Sequence, residues 1–175
     1  QGDIKVTYCT GPNLPTLWKG YEAVDLMIIT NSWMNQLQPD QLKALITWVK
    51  TGGHLVVSVG ANRDKLRQTD FEKILPVNLS LSKELPSLAL LGDMYGFPIT
   101  SSGPVIINDG HVKFGKTLLS ANNTPLIVES KTGLGEVVYL AFDVGKPPLQ
   151  SWNGNETFWK SFLSGNIPSS QYGNP

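Results

Sequence analysis

Few side chains in this sequence have the chemistry to attack a carbonyl, shuttle a proton or hold a metal. The single cysteine, Cys9, ends the alternating stretch Ile4-Lys-Val-Thr-Tyr-Cys9. One cysteine excludes an internal disulfide framework and a Cys-based zinc site, and Cys9 reads as a small buried hydrophobe. The two histidines, His54 and His111, have no His, Asp or Glu at i+2, i+3 or i+4. Neither therefore opens a ligand set, and both read as surface or strand-edge residues. Ser58 stands two residues before Gly60, but Val56 occupies the place of the first glycine of a G-x-S-x-G elbow. No catalytic residue, no metal and no cofactor is assigned.

What remains is a set of polar side chains expected where strands end. In open α/β sheets, ligands sit outside the carboxyl ends of the parallel strands, where loops separate and backbone groups are free. Here those ends are Thr30-Asn31-Ser32, Gly60-Ala61-Asn62-Arg63 and Asp143. Asn31, Ser32, Gly60, Asn62, Arg63 and Asp143 are the candidate ligand-binding residues. The bland reading of the same residues is an Arg63–Asp143 ion pair and asparagines capping helices.

The elements that must position them follow from pattern. Ile4–Cys9 alternates and is rich in β-formers, so it predicts a strand, stopped by Thr10-Gly11-Pro12-Asn13. A short helix carrying Trp18 and Tyr21 is expected between Leu14 and Glu22. Val24-Asp-Leu-Met-Ile-Ile-Thr30 is an apolar run of the kind buried on both faces. Apolar side chains at 42, 45, 46, 48 and 49 form a helical stripe behind Pro39, and Gly52-Gly53 supplies the stop. His54–Val59 is the next buried strand. Strand, helix, Gly-Gly and strand make a βαβ unit with parallel strands.

Periodicity then weakens. Residues 77–115 read as an insertion of small strands and loops, with Pro104–Ile107 and His111–Phe114 forming a hairpin around Asn108-Asp109-Gly110. Pro125–Glu129 and Glu136–Phe142 flank the turn Lys131-Thr-Gly-Leu-Gly135, which makes them antiparallel and the sheet mixed. A last helix, Asn155–Leu163, carries Phe158, Trp159, Phe162 and Leu163. A single domain is expected over 3–165, followed by a tail or linker over 166–175.

Taken in order, Tyr21-Glu-Ala-Val-Asp25-Leu-Met-Ile-Ile, Leu45-Ile-Thr-Trp48-Val49-Lys-Thr-Gly52-Gly53, Leu55–Gly60 and Gly133–Asp143 with Pro148-Leu149, Trp152 and Phe158-Trp159 resemble the class I glutamine amidotransferase-like superfamily. The resemblance covers 4–60 and 125–163. It implies a flavodoxin-like three-layer sandwich with a mixed, mainly parallel sheet. Active members carry a Cys on a strand-to-helix elbow and a His and a Glu near the last core strand. In this sequence the elbow-like stretch Ser58-Val59-Gly60-Ala61-Asn62 has no Cys, and Phe142-Asp143 stands where the His would fall. The resemblance therefore implies a divergent, non-catalytic branch found in extracytoplasmic parts of bacterial membrane-anchored proteins. Location in the cell envelope, as one piece of a longer membrane-anchored chain, is expected from it.

Composition narrows the partners. The chain has 175 residues, with 14 Lys+Arg against 14 Asp+Glu. Zero net charge speaks against nucleic acid, whose phosphates call for a surplus of cations. No apolar run approaches the roughly 18 residues of a membrane span. An unknown protein or small ligand is the expected partner. Trp48, Phe158, Trp159 and Phe162 lie on helical stripes and are expected in the core. Trp18, Trp33 and Trp152 fall in loops; Trp33 and Trp152 are the candidates for stacking on a carbohydrate or anchoring a protein. A non-catalytic interaction or ligand-binding domain is thus the leading expectation. Its rivals are a hydrolase or transferase with a rearranged site around Asn31, Asn62, Arg63 and Asp143, a carbohydrate-binding module, and a structural or oligomerisation domain.

Overall fold

A computed structural model describes residues 5–30, 36–100 and 103–169. The βαβ unit forms as its pattern predicts. The apolar run Leu26–Ile29 is strand β1, Pro39–Lys50 is helix α1 and His54–Ser58 is β2. β1 and β2 are parallel, with Leu26 opposite His54 and Ile29 opposite Val57. Helix α1 buries Ala44, Leu45, Trp48 and Val49. Its first turn also buries Gln41, whose Oε1 accepts the Gln38 N–H at 2.9 Å while Nε2 donates to the Gly11 and Leu14 carbonyls. One side chain thereby caps the helix and ties down the preceding loop.

Two short helices follow, α2 (Arg63–Leu66) and α3 (Asp70–Ile74), and then an irregular region. It contains β3 (Val77–Asn78), β4 (Ser82–Leu85), α4 (Ala89–Tyr95), β5 (Val105–Asn108) and β6 (His111–Val112). The hairpin expected around Asn108-Asp109-Gly110 is corrected. β5 pairs with β4 and β6 pairs with β3, both antiparallel, so the two arms belong to different small sheets. A buried side chain explains the split. Asn108 is fully buried, and its amide bonds both the N–H and the carbonyl of Ser80, drawing β5 toward the preceding segment.

Strands β7 (Lys116–Ala121), β8 (Thr124–Thr132) and β9 (Gly135–Leu140) complete the main sheet, in the order β1-β2-β9-β8-β7. β9 is parallel to β2, with Val56 opposite Val138, and antiparallel to β8, which is antiparallel to β7. The sheet is therefore mixed, and β8 alone runs against its fellows. The protein is an α/β fold. The last helix, α5 (Asn155–Ser164), buries Phe158 and Phe162, which lie edge-on to each other. Phe158 also meets the Tyr95 and Trp152 rings edge-on, at 5.3 and 5.9 Å.

Two expectations fail near the N-terminus. Residues 5–10 are irregular and exposed rather than a strand, so Cys9 is exposed and not a core hydrophobe. β-propensity is expressed only where a neighbouring strand or a packed face receives it. From Gly11 onward the Gln41 side chain holds the backbone against α1, and β1 is left as an edge strand of the sheet. Among the described residues, no helix is long and apolar enough to cross a membrane.

Candidate functional site

The parallel strands offer two ends, and the structure uses them differently. At the carboxyl ends, polar groups are spent on one another. Ser58 is completely buried; its hydroxyl donates to the Phe142 carbonyl at 2.7 Å and accepts the Val144 N–H at 3.0 Å. Gly60, at φ +52°, brings its backbone against Asp143: a Cβ there would lie 3.0 Å from the aspartate Cβ. Asp143 accepts the Gly145 N–H at 2.9 Å and has Lys146 Nζ 3.9 Å away. Arg63 Nε donates to the neighbouring Asp64 at 3.3 Å. Asn62 precedes α2 but makes no side-chain cap bond, so the capping role expected of it is corrected. Gly60 and Asp143 are thus brought together. Asn31, Ser32 and Trp33 lie outside the described residues.

The inserted strands meet the main sheet near this end. Ile107 forms an antiparallel bridge with Phe142, and the Asn108 N–H donates to the Ala141 carbonyl at 2.8 Å. Below that bridge, the Tyr139 hydroxyl donates to Asn108 Oδ1 at 3.3 Å, and burial raises its pKa far above the ordinary phenol value. Phe142 is wholly buried.

Trp152 is likewise turned inward. It is only 6% exposed, and its indole N–H donates to the Phe97 carbonyl at 2.8 Å. The expectation of Trp152 as an open platform for a sugar or a partner is corrected, because its ring is consumed by the aromatic cluster of Tyr95 and Phe158.

At the amino ends of β1 and β2 lies a cleft of about 440 Å³, a volume usual for small-molecule sites. Its walls are Trp18, Val24, Trp48, Phe162 and Leu163; its charged groups are Glu22 and Asp25; and the Thr51-Gly52-Gly53-His54 segment forms another side. Local structure sets each part. Trp18 and Glu22 flank the 3₁₀ turn Trp18–Tyr21. Tyr21 anchors that turn, with its ring 5.9 Å from Trp48 and its hydroxyl donating to the Pro15 carbonyl at 3.0 Å. Burial, with the nearby Cys9 as a smaller influence, pushes the Tyr21 pKa up to about 12. Gly53 lies flat on the Trp48 indole, where a Cβ would sit 2.4 Å from ring carbon Cδ2. His54 is half-exposed; its Nδ1 lies 3.5 Å from Glu136 Oε2, whose other oxygen accepts Lys131 Nζ at 2.9 Å. The pairing of His54 with Glu136 across β2 and β9 fixes that contact.

Thr51 turns its hydroxyl back onto the Thr47 and Trp48 carbonyls, so it is not presented to the cleft as a nucleophile. Among the described residues, no group of three or more His, Cys, Asp or Glu could hold a metal ion. The sequence reading missed this cleft. Its signal was present in Gly52-Gly53 beside Trp48, which was legible only as a helix stop.

No family model and no curated protein matches the chain. Among solved structures, it is similar to cytoplasmic protein STM1381 from Salmonella typhimurium LT2, with TM-score 0.67 and 20% identity over 90% of this chain and 77% of that one. Cytoplasmic protein STM3548 from Salmonella typhimurium is similar at TM-score 0.66, with the same identity and coverage. Exo-beta-1,4-mannosidase Op5Man5 from Opitutaceae bacterium strain TAV5 matches at TM-score 0.53 and 18% identity, over 86% of this chain but 26% of that one. At these identities the likeness is one of fold. The extracytoplasmic location expected from sequence is corrected by the first two, both of them cytoplasmic proteins.

Proposed function

We propose that this chain is a non-catalytic interaction or ligand-binding module on a flavodoxin-like, glutamine amidotransferase-like scaffold. The observation that carries the reading is the disposition of Ser58. The only nucleophilic side chain of the elbow-like stretch Ser58–Asn62 is buried and bonded on both sides to the backbone that follows β9. Withdrawing it to attack a substrate would leave the buried Phe142 carbonyl and the part-buried Val144 N–H without their partner, a cost of about 1–3 kcal/mol in all. The amino-end cleft supports the binding half of the proposal as a concave, largely polar space beside Trp18, Glu22 and Asp25. The scaffold reading is supported by the parallel β1-α1-β2 unit and the Gly-rich β8–β9 turn, where the resemblance places them. A cytoplasmic setting, that of both Salmonella proteins, is the one carried into the proposal.

The test is a turnover assay of the purified chain with glutamine, p-nitrophenyl esters and p-nitrophenyl glycosides. The expected rates equal those with heat-denatured protein. Turnover that disappears in Ser58→Ala or Asp143→Asn would overturn the reading and restore the rearranged-enzyme alternative.

A further inference from the structure

We infer that Asn153 is a site of covalent self-modification: the backbone nitrogen of Gly154 closes a five-membered imide on the asparagine side chain, and water reopens it as aspartate or isoaspartate. The inference is independent of the binding reading above. Attack on a side-chain amide by the next backbone nitrogen has three requirements. The amide carbon must be accessible, the following residue must have no side chain in the way, and its nitrogen must be able to lose its proton. Asn153 is the one asparagine of the sequence that is followed by glycine. It is exposed, on the turn that leads into α5. Among the described residues, neither its side-chain amide nor the Gly154 N–H has a hydrogen-bond partner. One backbone bond spans the turn, from the Asn155 N–H to the Trp152 carbonyl at 3.2 Å. Opening it lets Asn153 swing onto the Gly154 nitrogen.

The Gly154 nitrogen, deprotonated by hydroxide, bonds to Cγ of Asn153; the Cγ–Nδ2 bond breaks and the amide leaves as ammonia. Water then cleaves the imide. Cleavage at Cγ gives aspartate on the ordinary backbone. Cleavage at the main-chain carbonyl gives isoaspartate, whose backbone runs through Cβ and Cγ and is one carbon longer. One water is consumed, one ammonia is released, and nothing is oxidised or reduced. Rival sites are held back. Asn108 is fully buried with its amide bonded to Ser80, and Asn13 and Asn155 each donate their amides to a neighbour. Asp109-Gly110 could close the same ring, but Lys83 and Thr124 both donate to the Asp109 carboxylate, and an ionised carboxylate is a poor target for a nitrogen nucleophile. The consequence falls on the aromatic cluster under α5. Gly154 lies on the Trp152 indole, where a Cβ would sit 2.3 Å from ring carbon Cζ2, and that indole donates to the Phe97 carbonyl. A longer backbone does not fit this contact, so isoaspartate loosens Trp152 from Tyr95 and Phe158. The aspartate product keeps the native backbone and sets a negative charge before α5, where the helix dipole favours it.

Incubation of the full chain at pH 8 and 37 °C, followed by intact mass and by peptide mapping that resolves isoaspartate, is the test. The expected result is a gain of one mass unit that maps to Asn153 before any other asparagine, at a rate that rises in proportion to hydroxide. Asn153→Gln, whose closure needs a six-membered ring, should lose this gain. Its melting temperature should match that of the natural chain, because the side chain it replaces is exposed and unbonded. The isoaspartate fraction, separated by ion exchange, should melt below the natural chain, whereas Asn153→Asp should not. No gain in mass by the folded chain, a gain retained in Asn153→Gln, or earlier conversion of another asparagine would overturn the inference. An isoaspartate fraction that melts with the natural chain would overturn its effect on the aromatic cluster. None of these readouts involves turnover, so the binding reading stands or falls separately.

Discussion

The two ends of the same parallel strands make opposite use of polar chemistry. At the carboxyl ends, Ser58, the Phe142 carbonyl and the Val144 N–H satisfy one another, and Asn108 bonds across to Ala141. At the amino ends, Glu22 and Asp25 stand exposed beside two indoles. The contrast teaches that polar groups at strand ends can be satisfied within the protein itself. The insertion joins in at one point, where β5 bridges to Phe142 just beyond β9. A cleft then opens where glycines let the backbone lie against a tryptophan.

The comparison breaks most visibly at Trp48. This side chain is 5% exposed, forms a cleft wall and carries both Tyr21 and Gly53 against it. Trp48→Ala should cost about 3–5 kcal/mol, read as a fall of roughly 10 °C in melting temperature. An unchanged melting temperature would show that the ring does not hold this end together. The opposite end gives a smaller effect of a different kind. Ser58→Ala should cost about 1–3 kcal/mol by leaving Phe142 O and Val144 N–H without their partner, read as a lower urea midpoint. An unchanged midpoint would show that these two bonds do not hold the carboxyl end.

The smallest effect concerns the insertion that bridges to Phe142. Asp109 accepts bonds from Lys83 Nζ and the Thr124 hydroxyl, each at 2.6 Å. The hydrogen bond from Lys83, and after it that from Thr124, hold the Asp109 pKa below its ordinary value. A carboxyl with a lowered folded-state pKa stabilises the fold above its unfolded-state pKa, and the contribution is lost as pH falls through the lowered value. Asp109→Asn should therefore be less stable than the natural chain at pH 7 by under about 1 kcal/mol, since the pair is part-exposed. The difference should vanish toward acid. Urea titrations at pH 7 and pH 3 give the comparison, and a gap that widens in acid would contradict the assignment.

How much of this was legible in the sequence varies with how local the cause is. The α1 stripe of Leu42, Leu45, Ile46, Trp48 and Val49, the buried strand His54–Ser58 and the Gly133–Gly135 turn each carry their signal within a dozen residues, and each element formed. The strand expected over Ile4–Cys9 needed a neighbour that local pattern cannot supply. The split between β5 and β6 depends on one asparagine reaching Ser80, 28 residues earlier. At the site, Gly60 and Asp143 adjoin across the ends of β2 and β9, as their strand-end positions suggest, yet the bridge from the aperiodic insertion to Phe142 has no local signal. The cleft escaped notice because its walls come from four separated segments: 18–25, 48, 51–54 and 162–163. No window of sequence contains it.

The central claim is that recognition occurs at the amino ends of the strands and not at their carboxyl ends. Amide and indole chemical-shift mapping during titration with a set of small-molecule fragments tests it most directly. Saturable shifts confined to Trp18, Glu22, Asp25, Trp48, Gly52, Gly53 and His54 are the predicted result. Saturable shifts centred instead on Gly60, Asn62, Arg63 and Asp143 would contradict it.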